Sequence, residues 1–258
     1  MSFDARWYSL LHTGSENDEA YYVRAVQGAD RVLELGCGFG RITLPIAKSG
    51  VSVVGVDSSP GMLALLAEKR EALKAPLPGQ VDTVLADMRA LPFDTRFDRV
   101  LIPYNGLLCL LDEAAVSECL RGAARLLGPG GELHFDIYDV PSDYDEEASG
   151  EGPSEFEFIH AFSYRRKWVE VFERSLNHSD PKRLDVEYRY QWTDARGRER
   201  VITTYSIPQR CIYEEEIPYL LSQAGFEDVA VTGDFEDGPI TDDTEQLTVR
   251  AKLGRDVG

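Results

Sequence analysis

The sequence predicts an α/β fold in which a mostly parallel sheet has helices on both faces and carries an antiparallel β insertion after its fifth strand. Short apolar runs alternate with helix-like runs from residue 31 to residue 139, a pattern typical of right-handed βαβ units. Beyond residue 140, apolar residues instead recur at every second position, as in half-buried antiparallel strands. One helix-like run and two strand-like runs then return the chain to the core.

Each core strand is a short and almost wholly apolar run, as expected for strands that are covered on both faces. The predicted core strands are residues 31–36, 51–57, 81–87, 97–105, 131–139, 226–235 and 245–253. The predicted helices are residues 3–26, 40–50, 60–73, 113–127 and 213–225. Gly50 is a natural residue to end a helix, and Ser58 or Ser59 followed by Pro60 is a natural start for the next one.

The insertion follows an acidic stretch, residues 143–157, which contains seven acids and no base and predicts a solvated hinge. Residues 184–193 then alternate between apolar and polar side chains, which predicts a strand with one packed face. The predicted domains are an N-terminal helical cover (1–30), a core (31–140 and 211–258) and an insertion (141–210) that serves as substrate lid, dimer contact or both.

The charge of the chain restricts its partners. It carries 45 acids against 27 bases, a formal net charge of −18, and a field of that sign repels phosphate backbones and anionic lipids. Neither nucleic acid nor a membrane is therefore an expected partner. The sequence shows no signal-peptide pattern and no membrane-length apolar run. None of its four cysteines belongs to a C-x-x-C pair. We therefore expect reduced thiols in a protein of a reducing compartment, the cytoplasm.

The clearest chemical signal is the run ELGCGFGR at residues 34–41, which follows a buried strand and opens a helix. Glycines let the backbone approach a ligand closely, and a helix N-terminus offers unpaired N–H groups. Loops of this kind often bind dinucleotides, but the last glycine of the G-x-G-x-x-G spacing is replaced here by Arg41. The glycine pattern alone is also compatible with a plain tight turn.

Two acids favour a ligand site over a plain turn. Asp57 ends the second strand, 21 residues after Gly36, where a carboxylate can accept both ribose hydroxyls. Asp87 ends the third strand, where it can accept from the exocyclic amine of an adenine. Either acid alone is more often a solvated strand end, but their order and spacing together favour a cofactor that contains a nucleoside.

Taken in order, these motifs resemble those of class I S-adenosylmethionine-dependent methyltransferases. The resemblance rests on VLELGCGFGRITLPIA, VVGVDSSPGMLALLAEK, VLADMRALPF, FDRVLIPYNGLLCLLD and LLGPGGELHFDIYD, over roughly residues 20–140, and on AGFEDV and QLTVRAKL near the end. It implies a Rossmann-like sheet of seven strands whose last strand runs antiparallel. It also implies S-adenosyl-L-methionine as cofactor, S-adenosyl-L-homocysteine as product and no metal.

The resemblance also implies which residues bind the cofactor. They are Glu34, Gly36, Cys37, Gly38, Gly40, Asp57, Ser58, Met62, Asp87, Met88, Pro103 and Tyr104. The glycines would pass beneath the methionine part, with Glu34 orienting the loop. Asp57 would hold the ribose diol, Ser58 and Met62 would line the adenine, and Asp87 and the Met88 amide would bind its polar edge. Pro103 and Tyr104 would lie beside the sulfonium.

Methyl transfer from a sulfonium is an in-line displacement, which needs alignment and exclusion of water rather than a covalent nucleophile or a metal. The candidate catalytic residues are Tyr104 and Asn105, just past the fourth strand, and His160 in the insertion. An antiparallel insertion at this position is similar to the layout of small-molecule N-methyltransferases, including amino-sugar N,N-dimethyltransferases. We therefore expect a small-molecule acceptor, N-methylation in preference to O-methylation, and the option of a homodimer through the insertion.

Two other classes stay open on the residues alone. An NAD-dependent oxidoreductase has a similar loop, although Arg41 at the last glycine position argues against it. A non-catalytic cofactor-binding or interaction module would keep the same motifs and show no turnover on any acceptor.

Overall fold

The computed structural model describes residues 5–139, 152–178, 182–236 and 238–254. The chain divides into two compact units. The core unit contains residues 5–139 and 212–254, and the insertion unit contains the described residues between 152 and 211. Most of the acidic stretch that predicts a hinge, residues 143–151, lies outside the described residues.

The elements follow one another in the order that the sequence predicts. They are α1 (Ala5–Leu11), α2 (Asp18–Ala25), β1 (Arg31–Leu35), α3 (Thr43–Lys48), β2 (Ser52–Asp57), α4 (Pro60–Glu71), β3 (Val81–Leu85), β4 (Phe97–Ile102), α5 (Glu113–Leu126), β5 (Leu127–Tyr138), β6 (Gly152–Pro153), β7 (Glu157–Tyr164), β8 (Lys167–Asn177), β9 (Arg183–Thr193), β10 (Glu199–Arg210), α6 (Ile217–Gln223), β11 (Phe226–Gly233) and β12 (Gln246–Leu253). None of the helices in the described part of the chain is long and apolar enough to cross a membrane.

The core unit is built on a seven-stranded sheet with the order β11-β12-β5-β4-β1-β2-β3. Neighbouring strands among β1 to β5 are parallel, whereas β12 runs antiparallel to both β5 and β11. The predicted α/β class, with its mostly parallel sheet and antiparallel last strand, is therefore confirmed. The strand order reverses between β1 and β4, and in open α/β sheets ligands bind beyond the carboxyl ends of the strands at that point.

Helices cover the sheet on both faces. Alternate residues of each strand point to opposite sides of the sheet and therefore pack against different helices. Leu33 of β1 packs in a cluster that includes Leu120 of α5. Its neighbour Val32 packs in a different cluster, with Tyr22 of α2 and Ile46 of α3. The apolar composition of the strands follows from this double burial.

The N-terminal segment is an exception to the predicted order, because the prediction of one helix over residues 3–26 is wrong. The structure has two helices, α1 and α2, with a loop between them. Gly14 and Asn17 have φ angles of 111° and 66°, and a right-handed helix cannot continue through such residues. The Asp18 carboxylate accepts a hydrogen bond from the Ser15 amide at 3.1 Å, which stabilises the turn before α2.

The insertion unit is a sheet with the order β10-β9-β8-β6, in which β7 also pairs with β8. All of its strand pairs are antiparallel, so the predicted antiparallel insertion after the fifth strand is confirmed. Tyr188 and Tyr190 of β9 are buried, and the Tyr190 hydroxyl lies 3.0 Å from the Tyr205 hydroxyl on β10. The alternation over residues 184–193 therefore corresponds to one packed face of this sheet.

Candidate active site

The glycine loop, residues 36–40, leaves β1 in a backbone conformation that favours glycine. Gly36, Gly38 and Gly40 have φ angles of 71°, 53° and 82°, a region that residues with a Cβ enter only at a cost. A Cβ on Gly36 would lie 3.7 Å from the Met88 methyl group, and one on Gly38 would lie 3.9 Å from the Gly36 carbonyl oxygen. These are ordinary contacts, so the backbone conformation rather than crowding favours glycine at both positions.

Gly40 and Cys37 contribute to packing beneath the loop. A Cβ on Gly40 would lie 2.8 Å from Leu66 Cγ on α4, so only glycine lets the helix approach so closely. Cys37 is buried, and its Sγ lies 2.8 Å from the point that a Cβ on Gly55 of β2 would occupy. Burial raises the pKa of the Cys37 thiol well above its ordinary value. The Cys37 thiol is therefore a neutral packing group.

Asp57, at the end of β2, ties the glycine loop to the start of α4. One carboxylate oxygen accepts from the Gly38 amide and the other from the Ser59 amide, both at 2.8 Å. The Ser59 hydroxyl caps α4 by accepting from the amide of the buried residue Met62. Each Asp57 oxygen retains a further lone pair. Asp57 can therefore hold the loop and still bind ribose hydroxyls.

A cavity of about 360 Å³ opens next to these residues. Gly36, Asp57, Ser58, Asp87 and Met88 line it, all of them predicted cofactor residues. The segment between β4 and α5 contributes Leu110, Leu111 and Asp112 to its wall. Ligand pockets of about 300–1,000 Å³ with apolar walls and a few polar groups are typical of small-molecule and cofactor sites. The cavity has the size and lining that the adenosine part of a cofactor needs.

Asp87 at the cavity is held by Arg89, a residue that the sequence analysis did not select. The Arg89 side chain donates to Asp87 Oδ1 through Nε at 3.0 Å and to Oδ2 through Nη2 at 2.6 Å. This side-chain hydrogen bonding holds the pKa of Asp87 below its ordinary value. Asp87 is therefore a fixed anion that can accept one more donor, such as an adenine amine.

Glu34, near the end of β1, is hydrogen bonded to α3 and does not line the cavity. It is buried, and the Thr43 hydroxyl of α3 donates to its carboxylate at 2.6 Å. Burial raises the pKa of Glu34 to about 7. The predicted residues Cys37, Gly38, Gly40, Met62, Pro103 and Tyr104 likewise do not line this cavity.

The acceptor turn, residues 103–106, follows β4 and contains two successive left-handed residues. Tyr104 and Asn105 both have a φ angle of 58°, and Pro103 before them is buried. The Arg41 guanidinium lies over the Tyr104 ring at 4.7 Å, and the Tyr104 hydroxyl lies 3.4 Å from His12 Nδ1. Asn105 is only 3% exposed, and its Oδ1 has no hydrogen-bond partner among the described residues. The turn thus contains an aromatic ring and a hydrogen-bond-accepting oxygen that has no donor.

Asp136, which the sequence analysis missed, holds the acceptor turn. Its carboxylate accepts from the Tyr104 amide at 2.8 Å, from the Asn105 amide at 3.1 Å and from the Tyr22 hydroxyl. It is fully buried, and burial raises its pKa to about 6. The only signal in the sequence is an acid inside the apolar run LHFDIY.

The N-terminal segment also reaches the acceptor turn, through residues that were not predicted. The His12 ring stacks on Tyr8 with a centroid distance of 3.9 Å, and burial lowers the pKa of His12 to about 3. Arg41, which contacts Tyr104, forms an ion pair with the buried Asp18 of α2 at 2.6 Å. His12 is therefore a neutral imidazole at the turn, and Arg41 is fixed by its own counter-ion.

The predicted catalytic residues fall into both units. Tyr104 and Asn105 are adjacent in the core unit, whereas His160 lies on β7 of the insertion unit, where it is exposed and its ring centroid is 5.9 Å from that of Phe162. The role assigned to His160 stays a prediction. No group of three or more His, Cys, Asp or Glu side chains in the described part of the chain could hold a metal ion.

Fold and site together define a class of protein. A parallel sheet with a glycine loop after β1 and carboxylates at the ends of β2 and β3 is typical of α/β proteins that bind an adenosine-containing cofactor. The residues present fit such a cofactor, because Gly36, Asp57 and Asp87 line one cavity and both carboxylates have acceptor capacity to spare.

Comparison with known proteins identifies the family within that class. Residues 32–131 match the family described as methyltransferase domain. The cypemycin N-terminal methyltransferase of a Streptomyces species is 37% identical over 123 residues, which are 48% of this chain and 47% of that protein. The structure of the CcbJ methyltransferase from Streptomyces caelestis superposes with a TM-score of 0.74 at 27% identity and covers 92% of this chain and 88% of that one.

A further structure shares the fold at lower identity. CalS10, an amino pentose methyltransferase of Micromonospora echinaspora solved with S-adenosylmethionine bound, has a TM-score of 0.69 at 20% identity over 97% of this chain and 98% of that one. The chain therefore carries a methyltransferase domain of the class I S-adenosylmethionine-dependent superfamily, and its cofactor is S-adenosyl-L-methionine. The prediction of this superfamily is confirmed.

Proposed function

We propose that this small-molecule methyltransferase transfers its methyl group to an amine nitrogen, and that Tyr104 and Asn105 hold the acceptor. The observation that carries the proposal is the unpaired Asn105 Oδ1, which is buried in the acceptor turn. A buried acceptor atom without a donor costs roughly 1–3 kcal/mol. An N–H group of a bound amine would remove that cost. The O–H group of an alcohol would also do so, and the choice between the two therefore depends on the proton that the acceptor must lose.

The acidities at the acceptor turn support nitrogen over oxygen. A hydroxyl acceptor needs a base to take its proton, whereas an amine needs only to be neutral when it attacks. His12 and Asp136 are ionisable side chains that hydrogen bond to the turn, and each is a poor candidate for that base. His12 has a pKa lowered to about 3 by burial, and Asp136 already accepts three hydrogen bonds.

The proposed cofactor contacts follow from the geometry of the core unit. Asp57 holds the ribose diol while it fixes the glycine loop, and Asp87 accepts from the adenine amine while Arg89 fixes it. Ser58, Met62 and Met88 contact the adenine, and the glycine loop with Glu34 supports the amino acid part. The bound cofactor supplies an electrophilic methyl group. Pro103 and Tyr104 align the acceptor with it and exclude water.

The insertion unit is proposed to cover the acceptor, with His160 among the residues that contact it. An open sheet edge alone would leave the reacting groups in water, and transfer gains from a dry site. A homodimer contact through the insertion is the alternative role. A cytoplasmic location is also proposed, because Cys37 and Cys119 are buried thiols outside any disulfide, which a reducing compartment preserves; cell fractionation would test it.

The proposed activity is tested with pairs of acceptors of which only one member has a free amine. Two pairs replace the amine by a hydroxyl, namely an amino sugar with its parent sugar and an α-amino acid with its hydroxy acid, and a third compares a peptide with a free or an acetylated N-terminus. Release of S-adenosyl-L-homocysteine and a one-methyl mass increase are the measurements. We expect methylation only of the amine member of a pair. Methylation of the hydroxyl member instead would refute the preference for nitrogen.

The same assay tests the role of the insertion. In a variant with residues 153–209 replaced by a short linker, we expect calorimetry to show cofactor binding as in the wild type and the assay to show no methyl transfer. Wild-type turnover in a variant shown to be folded would rule out a lid. A change of oligomeric state in size-exclusion chromatography would then assign the insertion to a dimer contact.

A further inference from the structure

Asp136 lies where two parallel strands end side by side. In the register of β4 and β5, Ile102 pairs with Phe135, so the next residue of β5, Asp136, is level with the first residue beyond β4. Its side chain is completely buried. A buried carboxylate is stable only when hydrogen bonds replace its water, and the structure shows which groups do so.

Three donors from two other segments converge on this carboxylate. Oδ1 accepts from the Tyr104 amide and the Tyr22 hydroxyl, and Oδ2 accepts from the Asn105 amide. Two of the three donors are consecutive backbone amides of the acceptor turn. Both oxygens of Asp136 are therefore used to fix the main chain of that turn, and Tyr22 fixes Asp136 from α2.

The acceptor turn needs an external support of this kind. Two successive non-glycine residues with a φ angle of 58°, one of them with a large aromatic side chain, are in a conformation that the local chain disfavours. Such strain persists only where surrounding groups determine the backbone, and it clusters at functional sites. Hydrogen bonds to a charged acceptor are the strongest available to an amide.

We infer that Asp136, held by Tyr22, is a positioning residue that sets the Tyr104–Asn105 backbone in the geometry that aligns the methyl acceptor. The inference rests on the proposed role of Tyr104 and Asn105. Asp136 does not line the cofactor cavity and acts through the two amides. An asparagine at this position could accept from only one of the two amides through its oxygen, because its NH₂ group is a donor.

The test compares Asp136→Asn with Tyr22→Phe and with a matched control, Asp139→Asn, which makes the same change three residues further along, where the structure shows no hydrogen bond to the turn. For an amine that the wild type methylates, we expect Asp136→Asn to lower kcat by roughly 10- to 100-fold, the effect of a small misplacement of reacting groups. The affinity for S-adenosyl-L-homocysteine should change less than about threefold, because the cofactor cavity is lined by other residues. Tyr22→Phe should show a smaller loss of kcat, and the control none.

A second readout needs no acceptor. Amide hydrogen exchange followed by NMR should show that Tyr104 and Asn105 lose protection in Asp136→Asn, whereas the amides of the glycine loop keep it. If Asp136→Asn does not fold, Tyr22→Phe, which keeps the carboxylate, is measured in the same two ways.

The outcomes separate this inference from the proposed function. Retained kcat in a folded Asp136→Asn variant, or unchanged protection of both amides, would overturn the positioning role. An equal loss of cofactor affinity and kcat would assign Asp136 to general structural support, which also overturns it. If the wild type methylates only a hydroxyl acceptor, the amine proposal fails, whereas a selective loss of kcat on that acceptor in Asp136→Asn still supports the positioning role.

Discussion

Two turns at the same edge of the core sheet adopt left-handed backbone conformations by different means. The glycine loop after β1 uses residues without a Cβ, at φ angles of 71° and 53° for Gly36 and Gly38. The acceptor turn after β4 uses Tyr104 and Asn105 at 58°, and the Asp136 carboxylate binds both of their amides. The backbone of the first turn is therefore accessible without strain, whereas the second turn keeps an aromatic and an amide side chain and depends on hydrogen bonds from a neighbouring strand.

A buried carboxylate also lies near each turn, Glu34 near the glycine loop and Asp136 near the acceptor turn. The two carboxylates accept different numbers of hydrogen bonds. The structure shows one side-chain donor to Glu34, from Thr43, and three donors to Asp136. Burial raises the pKa of both, to about 7 for Glu34 and to about 6 for Asp136. Hydrogen bonds to the charged form lower a carboxyl pKa, and at both carboxylates the effect of burial outweighs them.

The largest expected effect is on the glycine loop. Asp57→Ala removes two hydrogen bonds of a charged acceptor, worth roughly 1.5–3 kcal/mol each, so we expect S-adenosylmethionine to bind about three orders of magnitude more weakly. Isothermal titration calorimetry measures this. Asp82→Ala is the control, because Asp82 is exposed on the neighbouring strand and does not line the cavity. Binding of Asp57→Ala within a few-fold of the wild type would show that the loop holds the cofactor without this carboxylate.

The next effect distinguishes the two buried carboxylates by pH. Because the pKa of Glu34 is about 7 in the folded chain against an ordinary 4.5, the stability that its neutral form contributes is complete below pH 4.5 and is lost as the pH rises through 7. The loss is about 3 kcal/mol, from 1.36 kcal/mol per pKa unit. Urea unfolding at pH 5 and pH 7.5 should therefore show a smaller pH dependence in Glu34→Gln than in the wild type.

Asp136 supplies an internal control for that measurement. Its pKa rises in the same direction, from an ordinary 3.8 to about 6, so its effect on stability falls in a lower pH range than that of Glu34. Asp136→Asn should therefore reduce the pH dependence of the free energy of unfolding mainly below pH 6. Equal slopes for Glu34→Gln and the wild type between pH 5 and pH 7.5 would mean that Glu34 is ionised in the folded chain throughout this range.

The smallest effect is expected from variants that exchange the two ways of forming a left-handed turn. Asn105→Gly should change the free energy of unfolding by less than about 1 kcal/mol, because glycine adopts this φ angle without strain. It removes Oδ1, so turnover on an amine should fall about tenfold. Gly38→Ala is the reciprocal variant and should destabilise by about 1 kcal/mol. An unchanged turnover in Asn105→Gly would show that Oδ1 does not bind the acceptor.

The sequence predicts the parts of this molecule in which local chemistry decides the structure. Buried strands, helix starts and the glycine loop depend on residues that are adjacent in the chain, so apolar runs and the spacing of Gly36, Gly38 and Asp57 were sufficient. The division of the N-terminal segment into two helices was missed because the glycine and asparagine that interrupt it also occur within helices.

The acceptor turn was located from the sequence but its support was not. Tyr104 and Asp136 are 32 residues apart, and only the parallel register of β4 and β5 brings them together. An acid near the end of a strand gives no sign of which amides it will bind. The same holds for His12 and Arg41, whose contacts with Tyr104 depend on how the N-terminal segment folds back on the sheet.

The hydrogen bonds of Asp136 have a consequence for engineering. Acceptor specificity is commonly altered by grafting a loop from one homologue into another. Here, a homologue that supplies residues 103–106 would also have to supply the carboxylate on β5 and the hydroxyl on α2. These two groups, and not the sequence of the turn, determine the backbone conformation of the turn. A chimera that exchanges the turn alone inherits side chains without the conformation that presents them.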